Sequence, residues 1–355
     1  MTPKLRKQGS AQANKITMKP FSALFNKTYK NDLPLLCTFE ITRRCNLFCR
    51  HCYLDSKPPK DSLSTGQIKN ILLKLKKAGV LYLVFTGGEP FMRKDILELV
   101  KYARKLKFDL RIFTNGTLIT ETEARILASA NLSGIEISLY GKRQTHDKIT
   151  NSKGSFDKVI GAIKMLKKHK IPVSIKCPII KTNYKDYLWL KDFSRKLKVK
   201  LKVDPTIAPK NSGDKAILRY RLSKKQLSQL YKDNNSASEK KKIRALSSFD
   251  NDPLFCSAGH NLLAIDCTGN IYPCLQLPKA MGNLKNHSFK SLWNSKALTN
   301  FRGIKTEEIK VCSSCASKES CQRCPGLALI EDGDLYGPSK IACQLVKITK
   351  VTKNT

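Results

Sequence analysis

The chain has no apolar run approaching the roughly 18 to 20 residues that a membrane span needs. Its first twenty residues, MTPKLRKQGSAQANKITMKP, are basic but lack the apolar stretch of a secretory signal. Acidic residues are scarce, with 28 Asp and Glu against 66 Lys and Arg, a formal net charge of +38. The lysines never gather into a pure basic block. Segments such as KLKKAGV and SRKLKVKLKV read as solvated helix faces as readily as a surface for polyanions. No RNA-binding motif is present, which disfavours nucleic acid as a partner. A hydrophobic content of 41% excludes disorder as the default and suffices for one large domain plus a smaller one. A cytoplasmic protein without a membrane partner is expected. Thirteen cysteines without an export signal then read as reduced metal ligands, not as a disulfide framework.

After a basic N-terminal arm (1–34), strand and helix signals alternate. Apolar runs at 35–41, 81–85, 110–114, 134–140, 172–180 and 200–204 read as strands. Between them, helical spacing covers 65–78, a stretch ending near 105, 121–130, 155–169 and 184–197, with Thr65 and Ser155 as candidate N-caps. Six such units predict an α/β fold on a parallel sheet, either a barrel or a doubly wound sheet, with function at the C-terminal strand ends. A basic linker with a helix near 223–232 fills 209–255. From 256 to 346 the chain turns cysteine-rich, as a small metal-dependent module does, and a basic tail follows at 347–355.

Cys45, Cys49 and Cys52 follow the first strand in a C-x3-C-x2-C spacing. Structural zinc takes four ligands. The nearest other cysteine, Cys37, lies inside a predicted strand, and His51 adjoins Cys52 too closely to fold easily onto the same ion. A cubane held at three corners instead leaves one iron open to a small molecule.

This spacing, followed by Tyr53 and by TGGEP at 86–90, resembles the signature of the radical S-adenosylmethionine enzymes. The resemblance implies a partial (β/α)6 barrel over about 35–208. It also implies a [4Fe–4S] cluster on Cys45, Cys49 and Cys52 that binds S-adenosylmethionine and cleaves it to a 5′-deoxyadenosyl radical. It places Gly87, Gly88 and Glu89 against the methionine amino group and Tyr53 near the adenine. Asn115 (in TNGT) and Ser138 (in SLYG) would contact the ribose or the methionine carboxylate. Many relatives read SLDG at the last motif, and Tyr140 stands here in place of that acid.

The C-terminal cysteines resemble the SPASM extension of these enzymes, which carries auxiliary clusters. The resemblance assigns Cys312, Cys315, Cys321 and Cys343 to one [4Fe–4S] cluster and Cys256, Cys274 and Cys324 to another, with Cys267 as a candidate fourth ligand. The family spaces the pair corresponding to Cys321 and Cys324 by three residues; two separate them here. Cys177 falls on the fifth strand, where a thiol facing the barrel could donate a hydrogen atom to a substrate radical.

Enzymes of this kind most often modify ribosomally made peptides or proteins, and HDKITNSKGSFDKVI (146–160) resembles a segment common in such maturases. The short arm leaves no room for a fused recognition domain, so a separate recognition protein or direct binding is expected. The positive charge suits an acidic peptide and equally a carboxylate-rich tetrapyrrole. A reductant such as flavodoxin or ferredoxin is implied. Haem-pathway chemistry, anaerobic sulfatase maturation and a non-catalytic basic iron–sulfur protein that binds nucleic acid are the competing readings.

Overall fold

The computed structural model describes residues 21–55, 62–234 and 256–351. Strand β1 (Leu36–Thr42) alternates as a half-buried strand must: Cys37, Phe39 and Ile41 face the helical layer, and Glu40 takes the opposite face. Helix α2 (Thr65–Lys77) buries Ile68, Ile71, Leu72 and Leu75 against that layer. Its cap is Ser64, one residue before the expected Thr65, in a reciprocal box with Gln67.

The alternation continues through β2 (Tyr82–Gly87), α3 (Ile96–Lys105), β3 (Asp109–Thr114), α4 (Glu121–Ser129) and β4 (Gly134–Ser138). After β4 comes α5 (Arg143–Thr150), which the periodicity does not reveal. Then follow α6 (Ser155–Lys168), β5 (Val173–Pro178), α7 (Tyr187–Lys196), β6 (Lys200–Asp204) and α8 (Lys224–Asn234). The N-cap of α6 is Gly154, not Ser155. Asp147 on α5 does the capping, accepting from the Gly154 and Phe156 amides at 2.7 and 2.8 Å and from the Ser155 hydroxyl at 2.9 Å.

The parallel sheet does not stop at six strands. β7 (Leu262–Ile265) pairs parallel with the free edge of β1, and β8 (Ile271–Tyr272) closes it antiparallel, giving the order β6-β5-β4-β3-β2-β1-β7-β8. β1 is therefore flanked on both sides, and the cysteine loop leaves from the middle of the sheet. Beyond β8 come α9 (Phe289–Trp293), α10 (Lys296–Arg302), α11 (Lys310–Ser313), α12 (Pro325–Asp332) and α13 (Lys340–Val351). The expected basic tail thus begins inside α13.

Residues 21–30 of the expected arm are helical (α1), and the C-terminal part anchors them. The Asn261 side-chain amide donates to the Phe25 carbonyl at 3.0 Å, and the Trp293 indole donates to the Asp32 carbonyl at 2.6 Å. One continuous apolar cluster joins barrel residues such as Phe39 and Phe85 to Leu277, Leu298 and Phe301. Among the described residues no helix is long and apolar enough to cross a membrane.

Candidate active site

The loop carrying Cys45, Cys49 and Cys52 is held from three strand ends. From β2, Gly88 and Glu89 donate their amides to the Thr42 and Arg44 carbonyls, each at 2.8 Å. A Cβ on Gly87 would lie 2.0 Å from the Thr42 oxygen, and one on Gly88 2.3 Å from the Arg44 oxygen. The two glycines of TGGEP therefore let β2 press its backbone onto the chain leaving β1. From α5, the Thr150 and Ile149 carbonyls accept from the Phe48 and Arg50 amides at 3.1 and 3.0 Å. The HDKIT segment is thus a brace for the cysteine loop as well as the cap of α6.

Glu89 is fully buried, and its carboxylate is a strut between strand ends. Oε1 accepts from the Phe91 amide (3.0 Å) and the Thr114 hydroxyl (2.7 Å), and Oε2 accepts from the Asn115 amide (2.6 Å). Burial pushes its carboxyl up to about 7, against these three donors. Asn115 in turn donates to Cys45 Sγ at 3.8 Å and to Asn46 Oδ1 at 2.9 Å, and it accepts from Thr117 at 2.9 and 2.7 Å. The expected ribose contact is therefore engaged with the first cysteine.

The three thiols come together: burial raises all three, Cys49 up to about 12, and like charge adds to it, from Cys52 and Cys45 on Cys49 and from Cys45 on Cys52. Such thiols become thiolates when a metal takes the proton's place. The Tyr140 hydroxyl lies near Cys49 and near Ser138, which is half-buried at the end of β4. The Tyr140 ring stacks on His146 at 5.4 Å and meets His51 edge-on at 4.8 Å. Burial lowers both imidazoles to about 4, so they stay neutral. Tyr53 donates its hydroxyl to Glu40 Oε1 at 2.6 Å.

The C-terminal thiols sort into two sets. Cys321 feels Cys312, Cys315 and Cys343; Cys256 feels Cys274 and Cys324. Gly326 makes the second set possible, because a Cβ there would lie 2.2 Å from the Gln276 oxygen. The N-terminus of α12, and Cys324 with it, can then reach the turn after Cys274. Arg323, 6% exposed, lies beside both sets and lowers the pKa of Cys256, Cys312 and Cys324.

Cys267 does not join them. It is fully buried beside Ser62, Arg43 and Asp266, so the candidate fourth ligand is elsewhere. Cys177 is turned from the barrel lumen as well: its thiol is fully buried, accepting from Asn183 Nδ2 at 3.4 Å. The alternation of β5 points Lys176 to the lumen and Cys177 to the helices. The hydrogen-donor expectation for Cys177 is therefore withdrawn.

Among the described residues no group of three His, Cys, Asp or Glu converges tightly enough for one metal ion. A set of three, a set of four and another set of three thiols, neighbouring without converging, fit cubanes, whose irons are each held by a separate thiolate. The roles of Asn46 and Tyr140 were missed in the sequence; the only signals were the adjacency of Asn46 to Cys45 and the departure at SLYG.

The comparisons agree with this geometry. Residues 39–192 match the Radical SAM superfamily, and residues 256–325 match the SPASM iron–sulfur cluster-binding domain. The chain is 25% identical to the AdoMet-dependent heme synthase of Methanosarcina barkeri, over 86% of this chain and 98% of that protein. It is 29% identical to the mycofactocin maturase MftC of Mycobacterium tuberculosis, over 82% of this chain and 78% of that one. The crystal structure of Streptococcus suis SuiB bound to precursor peptide SuiA shares the fold, with a TM-score of 0.69 and 20% identity, covering 97% of this chain and 84% of that one. The chain belongs to the radical SAM superfamily, with a C-terminal SPASM domain, as an enzyme whose cofactors are S-adenosylmethionine and [4Fe–4S] clusters.

Proposed function

We propose that the chain is a maturase that modifies a ribosomally made peptide or protein by hydrogen abstraction. The observation that carries this reading is the likeness to a maturase over 82% of the chain. When bound, the core cluster supplies the electron that splits S-adenosylmethionine into methionine and a 5′-deoxyadenosyl radical.

Cys45, Cys49 and Cys52 hold that cluster in this reading. Asn115 orients it through its bond to Cys45, and the Tyr140 hydroxyl lies beside Cys49. Gly87, Gly88, Glu89, Ser138 and Tyr53 shape the S-adenosylmethionine side. The neutral His51 and His146 keep mobile protons away from the cluster, and Cys177, turned from the lumen, keeps a hydrogen donor away from a substrate radical. Cys312, Cys315, Cys321 and Cys343 hold one auxiliary cluster, and Cys256, Cys274 and Cys324 hold the other. A cytoplasmic setting, with flavodoxin or ferredoxin as reductant, accords with thirteen cysteines that are all free.

A second reading, haem synthesis from an iron tetrapyrrole, is favoured by the likeness that spans 98% of the heme synthase. Co-expression with each small open reading frame beside the gene, followed by peptide mass spectrometry, separates the two. A mass change that requires Cys45, Cys49 and Cys52 is expected. Unaltered peptides together with conversion of iron coproporphyrin would overturn the maturase reading.

A further inference from the structure

The lumen face of the sheet carries a basic cluster to which the cofactor chemistry assigns no role. Arg111 and Phe113 on β3, Glu136 on β4, Lys176 on β5 and Lys202 on β6 all fall on the face turned from the helical layer. The register brings them side by side: Phe113 lies opposite Glu136, and Lys176 lies opposite Lys202.

Glu136 is the hub of the cluster. It is buried, accepts from the Lys202 ammonium and stands 4.0 Å from the Arg111 guanidinium. Two cations already neutralise this one carboxylate. Lys176 is left over: among the described residues it makes no ion pair, and its ammonium lies 4.1 Å from the centre of the Phe113 ring. The acids whose charge it feels are Glu136, already shared, and Asp204, which accepts from the Thr206 amide at 2.7 Å. Three cations therefore face two acids, and one positive charge stays uncompensated beside an apolar wall.

An excess of one charge matches a carboxylate and falls short of a phosphate dianion. A ligand can reach it: Lys176 is exposed, and the Arg111 and Lys202 side chains are each 44% exposed. The aromatic ring beneath Lys176 holds the ammonium over the lumen instead of letting it extend into solvent. Position decides what the site is for. Lys176 is the direct register partner of Ser138, and the Tyr140 hydroxyl beside Cys49 lies near that serine. A carboxylate on Lys176 is thus placed next to the residues that shape the S-adenosylmethionine side of the core cluster.

Resting on the maturase reading, we propose that Lys176, together with Lys202 and Arg111, grips a carboxylate of the peptide substrate in the barrel lumen. Lys176 is then a specificity-determining residue that selects peptides carrying an acid close to the residue to be modified.

The test uses the reconstituted holoenzyme with its clusters reduced and S-adenosylhomocysteine in the cofactor's seat. This analogue carries the same amino and carboxylate groups but no sulfonium to cleave. The probes are acetate and its neutral isostere acetamide, and the paramagnetic relaxation of their methyl protons reports binding near a cluster. Acetate is expected to relax more strongly than acetamide. Its excess should fall at least about threefold in Lys176→Met and persist in Lys176→Arg. Lys164→Met, which removes an exposed lysine on α6, should change nothing. Iron content reports folding, and Lys202→Met decides the question if Lys176→Met loses its clusters. An acetate effect unchanged in the lumen variants, the mark of an adventitious ion only, overturns the proposal. So does an acetate effect that the analogue abolishes, because the carboxylate held there is then the cofactor's own. Conversion of iron coproporphyrin that falls in Lys176→Met while peptides stay unaltered would assign the cluster to propionates and overturn it too. The two readings fail separately: acetate binding that depends on Lys176, with no peptide modified, sinks the maturase reading and leaves a carboxylate site. A modified peptide with acetate binding indifferent to Lys176 sinks this proposal alone.

Discussion

Gly88→Ala tests the contact on which the cysteine loop depends. The added Cβ would lie 2.3 Å from the Arg44 oxygen and 2.7 Å from both the Arg43 oxygen and the Arg44 carbonyl carbon. All three are backbone atoms, so no side chain can swing aside. Reaching an ordinary carbon–oxygen distance of roughly 3.3 Å forces the end of β2 and the loop apart by about 1 Å. That shift breaks the two 2.8 Å bonds from the Gly88 and Glu89 amides. Two lost hydrogen bonds at about 1 kcal/mol each, with overpacking of about 1–3 kcal/mol, put the cost near 3–5 kcal/mol. The melting point should fall by roughly 4 to 7 °C. The damage is centred next to Cys45, so iron per chain should drop from about twelve towards about eight, the core cluster being lost and the auxiliary clusters kept. Gly66→Ala is the control, since its Cβ meets nothing within 4 Å. A Gly88→Ala protein with full iron and an unchanged melting point would refute the reasoning.

Three further expectations follow from the same contacts. Tyr140→Phe removes the hydroxyl beside Cys49, so a redox titration followed by electron paramagnetic resonance should find the core cluster harder to reduce and the auxiliary clusters unchanged; equal shifts in all clusters would count against it. Cys267→Ala should keep its full iron content while Cys324→Ala loses an auxiliary cluster, because only Cys324 lies with Cys256 and Cys274; iron loss in the Cys267 variant would restore it as a ligand. Burial raises Glu89 from about 4.5 to about 7, so its contribution to stability is fully present below about 4.5 and is lost as pH rises through about 7. Glu89→Gln has no such slope. The stability gap between wild type and variant, measured by denaturant unfolding, should narrow from pH 5 to pH 8, and a widening gap would contradict the assignment.

The local patterns carried the barrel. Apolar alternation at 35–41 and helical spacing at 65–78 each marked one element whose buried face is written in neighbouring residues. The C-terminal thiol sets were legible through the resemblance to the SPASM extension. What stayed hidden depends on contacts distant in sequence. α5 is short and polar, and its purpose is clear only when Ile149 and Thr150 meet Phe48 and Arg50. β7 has only four residues, and its pairing with β1 joins positions more than 200 residues apart. Cys177 and Cys267 were ambiguous because a strand or turn position does not disclose which face a thiol takes; Asn183 and Ser62 decide that only in three dimensions. The glycines of TGGEP were legible as a close approach, but the partner is the chain's own backbone at Thr42 and Arg44.

The central claim is that the three thiols of the first loop make this chain a radical enzyme, and product analysis tests it most directly. Anaerobically reconstituted protein, given dithionite and S-adenosylmethionine, should form 5′-deoxyadenosine. The variant with Cys45, Cys49 and Cys52 all changed to Ala should form none while retaining about eight irons on its C-terminal thiols. Absence of 5′-deoxyadenosine from wild-type protein with all its clusters in place, or its formation by the triple variant, would contradict the account.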